Sequence, residues 1–245
     1  ARLVARKVPV HAQASARVEA GKLAASLNEL LTQSLGLAPA FAACPSPPPP
    51  PRFFSLFVST GTEAVEAAIK HALMAWAARR AELLVHVESA RCALLQEKED
   101  DGRGEGRNAT RLSSSQLLAA LDDSARRLVE ASPVFLAVRG SYHGRTAGSL
   151  AVTANAAYGA MFQGRSAVEA RFLPRDPGER DVERALAACR LEGLVLPPSS
   201  SASSSSSPSS SDTSPFCSFS RVAACFVEWI QGEGGMRPMP ERSAR

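Results

Sequence analysis

Three short runs of apolar and β-branched residues constrain the fold of this chain more than any other feature. They are FFSLFVS (53–59), VFLAV (134–138) and VAACFVEWI (222–230), and a polar, glycine-containing turn follows each of them. Runs of this length and composition are typical of strands buried in a sheet. Because helical patterns lie between them, the sequence predicts an α/β fold with a largely parallel sheet.

The predicted helices lie on both sides of the first two runs. Residues 12–36, 116–130 and 181–191 favour helix. The pattern after the first run is clearer, since its apolar residues recur at helical spacing: Val65, Ala68, Ile69, Ala72, Leu73 and Trp76. Thr60 and Glu63 fit a capping box, so a strand, a tight turn and a helix are expected to follow one another here.

Low-complexity segments divide the chain. A proline run (45–51) ends an N-terminal part, 1–52, which we expect to be a helix followed by a proline-rich loop. A domain is predicted over 53–240, with two insertions. The insertion at 97–115 is charged and rich in glycine and serine, so it is expected to be disordered. The one at 195–221 is dominated by serine and proline and is interpreted as a low-complexity insertion.

Composition argues against several classes of function. The net charge is +4 over 245 residues and the arginines are scattered, which disfavours nucleic-acid binding. No apolar run is long enough to cross a bilayer, and no signal-peptide pattern is visible. The five cysteines form no CxxC pair, so neither a disulfide framework nor a metal site is expected. We therefore expect a reducing compartment, cytoplasmic or mitochondrial.

The turn STGTE (59–63) has residues suited to an anion. The first turn of a helix presents N–H groups that have no intrahelical partner, and the helix dipole favours negative charge there. Gly61 lets a ligand approach the backbone, and Thr60 and Thr62 add hydroxyl donors. A phosphate monoester would fit, whereas the alternative is that the threonines only cap the helix.

The segment GSYHGRT (140–146) directly follows the second apolar run. Open α/β sheets bind ligands at the carboxyl ends of their strands, and Tyr142 beside His143 suits a planar heteroaromatic ring. One alternative is a loop with a hydrogen-bonded surface histidine. Another is a hydrolase that uses Ser141 with His143, but the GxSxG elbow and an acidic third member are missing.

The stretch EWIQGEGG (228–235) places acidic side chains at the end of the third run. Glu228 stands at a strand end, where a buried carboxylate needs a partner. Glu233 stands between glycines and suits reversible pairing with an arginine. The alternative for Glu233 is a solvated turn residue.

In this order, the three stretches resemble the motifs of the class III pyridoxal-phosphate-dependent aminotransferases, the family of the acetylornithine, ornithine and 4-aminobutyrate transaminases. The family pattern is N-S-G-[TAS]-E-A, then [FY]-H-G-[RK]-T, then E-P-[IV]-Q-G-E-G-G. Here the stretches read S-T-G-T-E-A, Y-H-G-R-T and E-W-I-Q-G-E-G-G. The resemblance implies the large domain of fold type I, a mostly parallel sheet with flanking helices, in incomplete form.

The resemblance also implies roles for individual residues. Six residues match positions that hold pyridoxal 5'-phosphate: Thr60, Gly61 and Thr62 at its phosphate, Tyr142 and His143 at its ring, and Glu228 beside it. Glu233 matches the substrate-binding glutamate that pairs with an arginine and releases it when a dicarboxylate arrives. Gln231 matches the motif without an assigned role, and Trp229 replaces the usual proline.

The family's Schiff-base lysine has no match in this sequence. The family continues with D-E-x-Q and then that lysine, whereas the four lysines here all precede the third motif: Lys7, Lys22, Lys70 and Lys98. No catalytic residue is identified, and the chain as given is expected to be an inactive transaminase fragment. The alternatives are a remnant that binds a cofactor or a partner, and an unrelated phosphate-binding module.

The implied reaction moves an amino group between an amino acid and a 2-oxo acid such as 2-oxoglutarate. The amino acid is expected to be an ω-amino donor. These small molecules are the expected partners, with no membrane and no nucleic acid. A complete version is expected to form a homodimer.

Overall fold

The computed structural model describes residues 18–34, 53–100, 114–160, 168–195 and 216–240. The chain divides into two compact units, 1–60 and 61–245. The division falls inside the first predicted motif, and the predicted domain limits at residues 52 and 240 stay predictions. The proline run lies outside the described residues.

In the first unit, the described residues form helix α1 (Val18–Ser34), which lies within the helix predicted over 12–36. Residues 53–58 form no strand, so the prediction of a buried strand at 53–59 is wrong. Phe54 is 97% exposed and Leu56 is 74% exposed. A run of β-forming residues without a neighbouring strand or a covering layer has nothing to pair with, and composition alone could not reveal this.

The second unit contains the remaining described elements. Its helices are α2 (Gly61–Asp100), α3 (Ser114–Glu130), α4 (Ala147–Ala151), α5 (Ala156–Gly159) and α6 (Glu179–Ala188). Its strands are β1 (Val134–Val138), β2 (Glu169–Leu173), β3 (Arg190–Val195), β4 (Phe216–Ser220), β5 (Val222–Phe226), β6 (Ile230–Gln231) and β7 (Arg237–Pro238). In the described helices, no stretch is long and apolar enough to cross a membrane.

A parallel sheet in the order β2–β1–β5 forms the centre of this unit. All five side chains of β1 are buried, as expected for a central strand covered on both faces. This arrangement confirms the predicted α/β fold with a parallel sheet. The third predicted strand (222–230) is shorter than expected, because the chain leaves the sheet after Phe226 and exposes Trp229 to solvent.

Helix α2 is longer than its apolar pattern predicted. It continues to Asp100, and α3 begins at Ser114, so both ends of the insertion predicted at 97–115 are helical. Residues 101–113 lie outside the described part of the chain. The apolar stripe predicted along the first half of α2 is confirmed except at Ala68, which is exposed.

An antiparallel hairpin of β3 and β4 was not predicted. β3 begins within the helix predicted over 181–191, and β4 lies within the insertion predicted over 195–221. Leu194, Val195 and Phe219 are buried, so tertiary packing determines the structure of two segments whose local composition is ambiguous.

Two hydrophobic clusters hold the second unit together. The first packs α2 against the sheet around Ile69, Phe135 and Val152. The second joins α2 to α3 and the β3–β4 hairpin: Trp76, Val87, Leu121, Leu128, Leu194, Val195 and Phe219. Because α2 contributes to both clusters, it fixes the position of its own N-terminus relative to the carboxyl edge of the sheet.

Candidate functional site

The candidate site is the meeting point of three segments of the second unit. They are the N-terminal turns of α2 (61–66), the segment after β1 (139–146, the β1 loop) and the segment after β5 (227–235, the β5 turn). Since β1 and β5 are parallel neighbours, their carboxyl ends lie at the same edge of the sheet. This is the edge where α/β sheets bind ligands.

Glu228 connects the β5 turn to the β1 loop. Its Oε2 accepts a hydrogen bond from the backbone N–H of Tyr142 at 3.0 Å, and its Oε1 accepts one from the N–H of Gly232 at 3.3 Å. The partner that a half-buried carboxylate requires is therefore the backbone of two loops. Glu228 fixes the main chain at the residue whose ring is predicted to contact a ligand.

Gln231 makes a second connection between the same two segments. Its side chain is only 4% exposed, and its Nε2 donates to the carbonyl oxygen of Arg139 at 3.0 Å and to Ser141 Oγ at 3.3 Å. Gly140 has φ +87°, and a β-carbon there would lie 2.7 Å from Gln231 Oε1. No role could be assigned to Gln231 from the sequence, whereas in the structure its amide holds the two segments in close contact.

Tyr142 and His143 lie side by side, each half-buried. The Tyr142 ring meets the Tyr158 ring edge-on, with the ring centroids 5.9 Å apart. The His143 ring lies 5.6 Å from the Phe226 ring, and the backbone N–H of His143 donates to Thr153 Oγ1 at 2.9 Å. Both ring residues are thus fixed through neighbouring groups before any ligand arrives.

The imidazole of His143 has one buried nitrogen, Nε2, without a hydrogen-bond partner in the described part of the chain. Burial lowers the pKa of His143, and the nearby Glu228 carboxylate opposes this effect. The neutral ring is therefore favoured. His143 is therefore not the hydrogen-bonded surface histidine of the first alternative. The hydroxyl of Ser141 is hydrogen-bonded to Gln231, which gives no support to the hydrolase alternative.

Helix α2 begins at Gly61, where the sequence predicted a helix start. Its first turn packs directly on the β1 loop. Gly144 has φ +124°, and a β-carbon there would collide with the hydroxyl of Thr62. The structure thus brings Gly61 and Thr62 to the site, while Thr60 is the last residue of the first unit and its predicted role stays a prediction.

Glu66 is a site residue that sequence reasoning missed. It lies four residues after Thr62 on the same face of α2. Its Oε1 accepts hydrogen bonds from the Thr146 hydroxyl, from Gly148 N at 2.8 Å and from Ser149 N at 3.1 Å. The hydrogen bond from Thr146 is the main reason that the pKa of Glu66 is lowered, although partial burial works against it. In the sequence, the four-residue spacing from Thr62 was the one sign that Glu66 belongs to the site.

Glu233 is exposed on the β5 turn. Its Oε2 accepts a long hydrogen bond, 3.4 Å, from the hydroxyl of Tyr158. The guanidinium of Arg145 lies 5.5 Å from the centre of the Tyr158 ring. The structure therefore gathers Glu233, Tyr158 and Arg145 beside Tyr142, and the arginine partner implied for Glu233 stays a prediction.

The lysines with described side chains lie outside this group of contacts. Lys70 is exposed on α2, as expected, and lies nine residues after Gly61, about 13 Å along the helix axis. Lys22 belongs to the first unit, where its Nζ lies 3.5 Å from Glu19. The side chains of Lys7 and Lys98 lie outside the described part of the chain. Across the described residues, no group of three or more metal-binding side chains is found.

Most of the chain matches a known protein family. Residues 50–244 match the sequence model of a family described as Aminotransferase class-III. A search of curated proteins finds no match to the chain. The matched range includes all three of the motifs whose residues meet at this edge of the sheet.

Proposed function

The chain belongs to the class III aminotransferases, and on that premise we propose that the meeting point of α2, the β1 loop and the β5 turn is its pyridoxal-phosphate site. Enzymes of this family depend on that cofactor and transfer amino groups. The observation that carries the proposal is the hydrogen bond between Tyr142 N and Glu228. It joins the second and third motifs, and the contact of Thr62 with Gly144 joins the first to the second.

The residues present suit the two ends of the cofactor. At the first turn of α2, backbone N–H groups and the Thr62 hydroxyl would receive the phosphate. In the β1 loop, the ring of Tyr142 would lie against the pyridine, beside the neutral His143, whose buried Nε2 has no protein partner in the described part of the chain. When bound, the cofactor supplies the electron sink for amino-group transfer.

Glu228 would limit the movement of this site. Two backbone N–H groups hold its carboxylate, so the carboxylate, the β1 loop and the β5 turn move together. A site whose parts are fixed before binding loses less entropy when the ligand binds. This supports a role for Glu228 next to the cofactor.

For substrates, we propose an ω-amino donor and 2-oxoglutarate as the acceptor. The support from the structure is the environment of Glu233. Its exposed carboxylate has one long hydrogen bond, to Tyr158, and Arg145 contacts the same ring. A carboxylate held this weakly can exchange partners at small cost, as a residue that releases an arginine to a dicarboxylate must.

We also propose that this 245-residue chain binds the cofactor without attaching it covalently, and that it does not turn over. The described lysine of the second unit, Lys70, is exposed on α2 and makes none of the contacts that build the site. A second copy of the chain is the expected partner of a complete version.

The test is a titration of the purified chain with pyridoxal phosphate, followed by absorbance and by quenching of tryptophan emission. Pyridoxal, which lacks the phosphate, is the matched ligand. We expect saturable one-site binding of the phosphate ester and binding of pyridoxal that is at least about tenfold weaker, because helix N-termini favour anions. Tyr142→Ala should weaken the binding of pyridoxal phosphate, and Val129→Ala, at a residue of α3 that is 62% exposed, should not.

Two results would contradict the proposal. Equal affinities for the two ligands would rule out a phosphate site at α2. Reduction with borohydride followed by mass spectrometry tests the second part, since a stoichiometric adduct on Lys70 or another lysine, or steady turnover with an amino donor and 2-oxoglutarate, would show that the attachment proposal is wrong.

A further inference from the structure

We propose that Glu66 is a positioning residue, which locks the phosphate end of the site to the loop that carries the ring residues. The proposal rests on the function proposed above, because it concerns the same site. Glu66 itself contacts neither predicted end of the cofactor. It acts through helix α4, which directly follows the β1 loop.

The contacts of Glu66 are concentrated on one short segment. A single oxygen, Oε1, receives the Thr146 hydroxyl and the N–H groups of Gly148 and Ser149. The other oxygen lies against Gly148, where a β-carbon would come within 2.5 Å of Oε2. The carboxylate therefore fits closely against the first turn of α4 and requires glycine at position 148.

A chain of hydrogen bonds continues from this contact to the ring residues. Ser149, whose N–H bonds Glu66, accepts from Thr153 Oγ1 through its carbonyl at 3.0 Å. The same hydroxyl oxygen accepts from His143 N at 2.9 Å, and its one proton is shared with a second acceptor, the carbonyl of Gly144 at 2.9 Å. Each of these groups is buried or partly buried, so a displacement at Glu66 is transmitted to the backbone of His143.

Helix α2 thus touches the β1 loop and its continuation at two points, four residues apart on one face. Thr62 contacts Gly144, and Glu66 binds the N-terminal turn of α4. A single contact would leave the loop free to pivot about it, whereas two contacts fix its orientation. The distance between the first turn of α2 and the Tyr142–His143 segment is then set by α2.

Because Glu66 is charged, a positioning role and a simple electrostatic effect predict opposite changes in cofactor affinity when the charge is removed. Glu66 is an anion, five residues after Gly61 and so about 8 Å along the helix from the proposed phosphate site. Coulomb repulsion alone would make the phosphate bind more tightly when the charge is removed. A positioning role predicts weaker binding instead, because an amide oxygen is a weaker acceptor for three donors than a carboxylate.

The experiment measures the dissociation constant of pyridoxal phosphate for the full chain and three variants. Glu66→Gln removes the charge and weakens the contacts. Gly148→Ala keeps the charge but displaces the carboxylate, and alanine is favourable in the helix itself. Glu82→Gln, at an exposed residue sixteen positions further along α2, makes the same change of charge away from the site and is the control.

We expect Glu66→Gln and Gly148→Ala each to weaken binding by about five- to tenfold, the effect of losing one charge-assisted hydrogen bond. The control should bind like the wild type, and the affinity for inorganic phosphate alone should be unchanged or slightly higher in Glu66→Gln. Unchanged or tighter binding of pyridoxal phosphate by Glu66→Gln would overturn the proposal.

A second measurement separates this proposal from the proposed function. If the wild-type chain binds no pyridoxal phosphate, the proposed function fails, and amide hydrogen exchange of the unliganded proteins decides the role of Glu66. Glu66→Gln should speed exchange at residues 142–149 relative to the wild type and the control. Exchange that is unchanged there, or faster throughout the second unit, would overturn the positioning role.

Discussion

Replacing Gln231 by leucine tests whether a single buried amide holds the β5 turn against the β1 loop. Leucine fills a similar volume but cannot donate hydrogen bonds. In the structure, Gln231 Nε2 donates to the carbonyl of Arg139 and to the hydroxyl of Ser141, and the side chain is 4% exposed. We expect Gln231→Leu to destabilise the protein, because both acceptors would lose this donor without gaining water.

The magnitude follows from two opposing contributions. Leaving both acceptors without this donor costs about 2–3 kcal/mol in all, because the 3.3 Å hydrogen bond to Ser141 contributes at the low end of the usual range. The substitution also removes Gln231 Oε1, which has no partner in the described part of the chain, and it buries an apolar side chain. Together these two changes stabilise the protein by about 1 kcal/mol. The expected net loss is about 1–2 kcal/mol, which in a domain of this size lowers the midpoint of thermal unfolding by about 2–8 °C.

The assay is equilibrium unfolding in urea, followed by far-ultraviolet circular dichroism and by tryptophan emission. The control is Ile230→Ala, at the neighbouring residue of the same short strand. Ile230 is 60% exposed, so its truncation should change stability by no more than about 0.5 kcal/mol. A Gln231→Leu protein as stable as the wild type would refute the reasoning, since it would mean that the amide contributes no more than its unpaired oxygen costs.

Three further predictions follow from buried groups. Ser124 Oγ accepts from Val195 N at 2.9 Å, so Ser124→Ala should cost about 1–3 kcal/mol in urea unfolding, and a neutral result would contradict this. Trp229 is exposed and Trp76 is 3% exposed, so Trp229→Phe should leave emission that acrylamide barely quenches; strong quenching would contradict the burial of Trp76. Burial lowers the pKa of His143, so below about pH 6.5 the unfolded chain binds more protons than the folded chain. Stability therefore decreases as the pH is lowered through this range. His143→Gln should flatten the urea-measured profile between about pH 7.5 and 5.5, and an unchanged slope would count against the pKa shift.

The parallel sheet could be predicted because β1 is buried along its whole length. Five consecutive apolar residues, VFLAV, are what a central parallel strand requires. The run at 53–59 has a similar composition, yet it forms no strand. What differs is the presence of neighbouring strands, β2 and β5, and a single sequence does not record which segments will be neighbours.

The β3–β4 hairpin could not be predicted, for a related reason. β4 is formed by FCSFS, which lacks a regular alternation of apolar and polar residues, and a serine–proline tract stands immediately before it. Its inward residue Phe219 packs against Trp76, with ring centroids 5.6 Å apart. The strand exists because α2 extends far enough to cover it, and the length of α2 was itself underestimated.

In the candidate site, sequence reasoning located residues that are proposed to present side chains to a ligand, and it missed residues that hold the backbone. Tyr142, His143 and Glu228 follow strands and carry distinctive side chains, so their position and chemistry indicate a site. Glu66 and Thr153 have ordinary side chains on helical or loop segments. Their contacts are with N–H and C=O groups, which every residue of the chain possesses and no pattern distinguishes.

This difference also explains how the site accommodates its acidic residues. The sequence suggested that a carboxylate at a strand end needs a partner. Glu228 finds it in two backbone N–H groups, and Glu66 is held by two N–H groups and a hydroxyl. Arg145 is consequently not needed to neutralise either carboxylate and lies instead over the Tyr158 ring. In the proposed function, a site built in this way would keep its cation available for an anionic substrate and would leave the phosphate to the N-terminus of α2, where the helix dipole supplies the positive potential.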